Sequence, residues 1–231
     1  MSDSEDDRVP NLPSAPRQKR FRFKTFAERV SEVEIDVYKH RGAVKTEPSA
    51  GSWLADGLTH WRELNSAAHF LQAAAELQPL CQTLPLLLHH QNDVARILLG
   101  SLEPAARLSL PALLDLLSRF ARDLQQQFLP LLPKVVRRIV LLLNGGAERE
   151  PESLEAIFTC VSYICKYLVR HLAADLPSAL RMTAPLRYYH ADYVRQFAAQ
   201  AVGYLLRSAP SAAALRSGVR ATLAEQAVKP T

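Results

Sequence analysis

From Leu110 to the C-terminus the chain repeats one pattern three times. A long amphipathic stretch is followed by a turn and then by a shorter amphipathic stretch. The pairs are residues 113–127 with 131–143, 153–172 with 176–186, and 191–207 with 213–224. Proline marks each internal turn: Pro130 and Pro133, then Pro177, then Pro210. A period of about forty residues is that of helical hairpins, which bury their apolar faces only by stacking on one another. The spacing therefore predicts an all-α chain, an α-solenoid of antiparallel helical hairpins of the HEAT or armadillo type. Such a stack works through an extended surface. Holding partners together suits it better than turning over a substrate.

The composition agrees. Leu and Ala, both strong helix formers, dominate the apolar 48% of the 231 residues, and aromatics supply only 7%. The length suits one or two domains, or five or six helical hairpins. The net charge of +5 permits contact with nucleic acid or an acidic partner without demanding it. Three scattered cysteines, Cys81, Cys160 and Cys165, read as buried apolar residues in a reducing compartment. The acidic N-terminus lacks the apolar core of a secretory signal. No uncharged apolar run approaches the ~18 residues of a membrane span. Residues 128–143 come closest, and Lys134, Arg137 and Arg138 interrupt them. A soluble, intracellular chain is expected.

Three regions follow from the patterning. Residues 1–20 are polar and proline-spaced, and are expected to be a disordered tail. The tail ends in a basic run, Arg17, Lys19, Arg20, Arg22 and Lys24. That run reads either as a solvated flank or as a nuclear import signal or RNA-contacting arm. Residues 21–52 hold Phe21, Phe23, Phe26 and Val30, expected to dock a short helix or extended arm onto the body. The alternation of Val33, Ile35 and Val37 with Glu34 and Asp36 favours an extended piece, and 40–52 reads as a loop. Residues 53–231 are the helical-repeat domain. There Ser52 is a plausible cap for the first helix, and Asn65 and Ser66 break it and cap the next, which runs over 67–77. Residues 80–102 form a helix or a helix pair, with Pro85 starting a fresh helix.

Chemistry is sparse. Cys160 and Cys165 stand about 140° apart around a helix axis, a poor arrangement for gripping one metal. His89 and His90 point in different directions and have no partner motif. There is no phosphate-binding glycine loop, metalloprotease motif or nucleophile elbow. No catalytic residue, cofactor or metal ligand is expected, and no small-molecule substrate. One basic group stands out. Lys134, Arg137 and Arg138 lie opposite the apolar side made by Val135, Val136, Ile139, Val140 and Leu143. Arg119 and Arg122 belong to the preceding helix. If the stack aligns these five, they could meet RNA phosphates or an acidic protein. The alternative is an ordinary solvated face. The candidate contacts are thus Arg17, Lys19, Arg20, Arg22, Lys134, Arg137 and Arg138.

Several strings carry a family resemblance. They are Phe23-Lys24-Thr25-Phe26-Ala27-Glu28-Arg29 with Val33-Glu34-Ile35-Asp36-Val37, then Trp61-Arg62-Glu63-Leu64-Asn65 and His90-Gln91-Asn92. Leu113-Leu114-Asp115-Leu116 and Phe120-Ala121-Arg122-Asp123-Leu124 follow. Glu155-Ala156-Ile157-Phe158, Ser162-Tyr163, Lys166-Tyr167-Leu168 and Arg195-Gln196-Phe197-Ala198-Ala199 complete the set. In this order and spacing they resemble the N-terminal region of the DRIM (down-regulated in metastasis) family, a HEAT-repeat component of the small-subunit processome. The resemblance covers roughly residues 21–207. The segment from Ala209 onward and the stretch around 42–50 match less well. Members of that family are far longer, so the resemblance implies the first repeats of a longer solenoid. It further implies a non-enzymatic scaffold in the nucleus and nucleolus. That scaffold would act in pre-rRNA processing and small-subunit assembly. Its partners would be pre-ribosomal RNA, small nucleolar ribonucleoprotein and other processome proteins, with no membrane involved. The other reading is a different helical-repeat adaptor, such as a nuclear transport or phosphatase scaffold.

Overall fold

The computed structural model describes residues 23–33 and 51–227, apart from the side chains of 225–227. These residues are α-helical, joined by short 3₁₀ turns, and a lone bridge between Gly51 and Thr83 is the extent of β pairing among them. The expected tail, the basic run at Arg17, Lys19, Arg20 and Arg22, and the alternating stretch beyond Val33 lie outside the described residues.

Helix α1 spans Phe26–Ser31. After it come α2 (Trp53–Leu64), α3 (Ala68–Cys81), α4 (Leu84–His89) and α5 (Gln91–Ser101). The repeating pairs begin with α6 (Leu110–Leu124) and α7 (Leu132–Asn144). In the second pair α8 (Pro151–Tyr167) and α9 (Val169–Ala174) lead to α10 (Leu176–Met182) and α11 (Ala184–Arg187). The third pair is α12 (Asp192–Arg207) with α13 (Ala212–Ala227). The long helices stack as one layer, α2 on α6 on α8, with α1 packed on both α8 and α12. The second layer runs from α5 through α7 to α10 and α11, and α13 covers α10. A continuous apolar core lies between the layers, from Phe26 to Leu205.

Local chemistry explains most boundaries. Ser52 accepts from the Ala55 amide and donates to the Cys81 carbonyl, tying the start of α2 to the end of α3. Thr83 caps α4, with Pro85 in the first turn, where its missing N–H costs nothing. Pro111, Pro133, Pro151, Pro177 and Pro185 likewise occupy first turns. Asn65 ends α2, accepts from the Ala67 amide and donates to the Leu108 carbonyl. Between α7 and α8, Gly146 at φ +108° takes the left-handed turn that a side chain would strain.

Three elements differ from the sequence expectation. Helix α3 continues past Leu77 to Cys81, because Pro79 falls in its last turn and the deprived carbonyl of Ala75 is on an exposed residue. The stretch over 153–172 bends at Leu168, although the apolar stripe stays buried through Leu172. The stretch over 176–186 is divided at Thr183. Pro185 must begin a new turn there, and the Thr183 hydroxyl takes up the Leu180 carbonyl.

Candidate partner-binding surfaces

The region around Arg29 organises one end of the long-helix layer. Thr25 and Glu28 close α1 with a capping box. The Phe26 amide donates to Gln200 Oε1 at 2.8 Å, and its ring packs on Phe197 and Tyr204. Arg29 is fully buried. Its guanidinium donates to Glu155 Oε2 at 2.6 Å, to Thr159 Oγ1 at 3.3 Å and to the Lys24 carbonyl. It also lies near the rings of Phe158 and Phe197, which stack on each other at 4.1 Å. A buried charge is tolerable only with such partners. Short as it is, α1 is a polar wedge between α8 and α12.

At the other end α2 runs opposite to α6. The amides of Trp53 and Leu54 donate to the two oxygens of Asp123, at 3.0 and 2.9 Å. Gly57 lets the Arg119 side chain cross close to the α2 backbone. Trp61 Nε1 donates to Asp115 Oδ2 at 2.7 Å, an oxygen that Arg119 Nε also reaches at 2.7 Å. Between these points the Arg122 guanidinium sits 3.6 Å from the Trp53 ring centroid and 5.3 Å from that of Tyr167. Burial pushes the Asp123 carboxyl up to about 7, against the pull of the two amides and of Arg122.

Where α2, α6 and α8 diverge, a groove of about 510 Å³ opens. Pro111, Ser118, Ala156 and Cys160 line it, with Trp61 and Tyr163 among its aromatic contacts. Asp115, Glu152 and Glu155 supply its charge. Nothing in the helical periodicity singled out this groove. The signal available was the presence of Trp61, Asp115 and Glu155 within the strings of the family resemblance.

The basic candidates divide. Lys134 and Arg137 are exposed on α7. Arg138 is half-buried and donates to the carbonyls of Leu99 and Gly100 at the end of α5, at 2.6 and 3.4 Å. Arg119 and Arg122 belong to the other layer, engaged with Asp115 and with Trp53 and Tyr167. The stack therefore does not bring the five cations into one patch.

All three thiols are free and buried, and burial raises Cys81 to about 11, Cys165 to about 12, and Cys160 as well. Such thiols do not ionise near neutrality. His89 and His90 face each other edge to face, and His90 lies 4.0 Å from Asp93. The described residues contain no cluster of His, Cys, Asp and Glu fit to hold a metal. No described helix is long and apolar enough to cross a membrane.

No family model matches the chain. The chain is similar to U3 small nucleolar RNA-associated protein 20. With the Saccharomyces cerevisiae protein of that name it shares 30% identity over 193 residues, 83% of this chain. With the Schizosaccharomyces pombe protein it shares 27% over 194 residues, 82% of this chain. The chain spans only 8% of the length of each of these relatives.

Proposed function

We propose that this chain is a non-enzymatic scaffold that acts with U3 small nucleolar RNA in the small-subunit processome, in the nucleolus, during pre-rRNA processing. The observation that carries this reading is the similarity, over 83% of the chain, to a protein named for its association with that RNA. The two-layered helical stack supports it, because such a stack offers extended faces for an assembly. Pre-ribosomal RNA, small nucleolar ribonucleoprotein and other processome proteins are the partners in this reading. Exposed Lys134 and Arg137 are its candidate phosphate contacts on the described body.

Immunoprecipitation of the tagged chain from nuclear extract, probed for U3 RNA and precursor rRNA, tests the reading. Enrichment of both is expected. Their absence, with recovery of transport or phosphatase components instead, would overturn it in favour of another helical-repeat adaptor. If Lys134 and Arg137 touch phosphates, removing both lowers the salt dependence of RNA binding by up to about two counter-ions.

A further inference from the structure

We propose that the groove between α2, α6 and α8 docks an extended, arginine- or lysine-bearing segment of a partner protein. This goes beyond the scaffold reading and does not depend on which RNA the chain accompanies.

The groove's charge runs against that of the chain. The whole sequence has 28 Lys and Arg against 23 Asp and Glu, a net charge of +5. Yet three carboxylates and no Lys or Arg line the groove among the described residues. Each carboxylate retains capacity to accept. Glu152 is exposed and has no ion-pair partner among the described residues. Asp115 uses Oδ2 for both Trp61 and Arg119, and Glu155 uses Oε2 for Arg29. Asp115 Oδ1 and Glu155 Oε1 face no described donor. Trp61 and Tyr163 add aromatic rings to the lining, side chains of the kind that attract a guanidinium or ammonium. The lining is otherwise apolar, with Pro111, Pro151 and Ala156 contributing.

The dimensions fit an extended strand. From Glu152 to Tyr163 the groove follows α8 for about 16 Å at ~1.5 Å per residue. That is the length of about five residues of extended chain at ~3.3 Å each. Alternate side chains of such a segment point the same way, so basic residues at every second position would meet the carboxylates and rings while the others face water. A nucleic acid is disfavoured, because its phosphates would face the unpaired Glu152 and the remaining oxygens of Asp115 and Glu155, whose Arg119 and Arg29 partners are not part of the groove lining. A cationic peptide gains nothing from the overall field of a chain charged +5. Its binding must therefore come from the groove itself.

The test uses the full chain and a fluorescein-labelled heptapeptide alternating alanine and arginine, followed by fluorescence anisotropy in about 0.15 M salt. One-site saturable binding is expected, with no binding of the matched alanine–glutamate peptide. Glu152→Lys should weaken binding about tenfold or more, as expected for a reversed charge at a contact. Glu152→Gln should weaken it less, and Lys134→Ala with Arg137→Ala should leave it unchanged. Glu152 is exposed, so helical circular dichroism should be retained in both of its variants. Binding insensitive to Glu152→Lys, or displacement of the peptide by single-stranded RNA at the same site, would overturn the proposal. So would peptide binding that occurs only after residues 34–50 are replaced by a glycine–serine linker, since the chain itself would then be the occupant. Recovery of U3 RNA by the Glu152→Lys chain reports separately on the scaffold reading.

Discussion

Along the layer of α2, α6, α8 and α12, the joints carry directed polar contacts. Asp123 holds two amides of α2, Asp115 holds Trp61, Arg122 lies against Trp53 and Tyr167, and Arg29 joins α1 to Glu155 and Thr159. In the layer of α5, α7, α10, α11 and α13 such contacts are fewer: Arg138 reaches the end of α5, Arg187 of α11 donates to the Leu180 carbonyl of α10, and Tyr189 after α11 donates to Asn144 of α7. The rest of that layer rests on residues such as Val135, Ile139, Leu176 and Ala179. An apolar stripe stabilises contact but tolerates sliding, because the hydrophobic effect has no direction. A hydrogen bond fixes which residue meets which. The polar joints of the first layer thus set the register of the stack, while the apolar core between the layers supplies the burial that holds both.

Variants in the two layers should separate these roles. The largest effect is expected at Glu155→Ala, which strands the buried Arg29 guanidinium at a cost of about 3–5 kcal/mol. Undocking of α1 limits the observed loss, so the variant should show fast amide exchange in residues 26–31 while α6 and α7 stay protected. Next comes Asp123→Ala, which leaves two amides at the start of α2 without an acceptor. A loss of about 1–3 kcal/mol is expected, read as a lower midpoint in urea.

Asp123 also gives the long-helix layer a pH dependence. Its folded carboxyl, near 7, stands above its ordinary value of 3.8, so folding takes up a proton between those values. Its contribution to stability is fully present below about pH 4 and is lost as pH rises through 7. Asp123→Asn should remove this slope. Arg122→Leu ranks below, at roughly 1–2 kcal/mol for a partly desolvated cation over an indole, with altered Trp53 fluorescence. Arg138→Ala should cost least, about 0.5–1.5 kcal/mol for exchanging its bonds to the α5 carbonyls for water. A larger loss at Arg138 than at Asp123 would break the contrast between the layers.

What the sequence made legible follows from the range of each interaction. The three pairs from Leu110 onward were readable because an amphipathic stripe is a local pattern. The Ser52 cap and the Pro85 start were readable for the same reason. The role of Arg29 was not, because its partner Glu155 is 126 residues away and Gln200 is 174 residues from Phe26. Asp123 resembled any polar residue on an exposed helix face until α2 came to rest with its amides there. The periodicity put Arg138 beside Arg137, yet it could not reveal that the end of α5 would claim one and leave the other free. Family resemblance carried what local pattern could not. Its strings supply Arg29, Trp61, Asp115, Arg122, Asp123, Glu155, Phe158 and Phe197, which meet in the long-helix joints.

Hydrogen–deuterium exchange on the full chain tests the central structural claim most directly, with peptides covering α1 and the facing turns of α8 and α12. Slow exchange at Val30 and across residues 155–163 and 197–204, lost together on Glu155→Ala, is the predicted result. Exchange of α1 at the rate of an unstructured peptide in the unaltered chain would contradict the wedge, and with it the register of the long-helix layer.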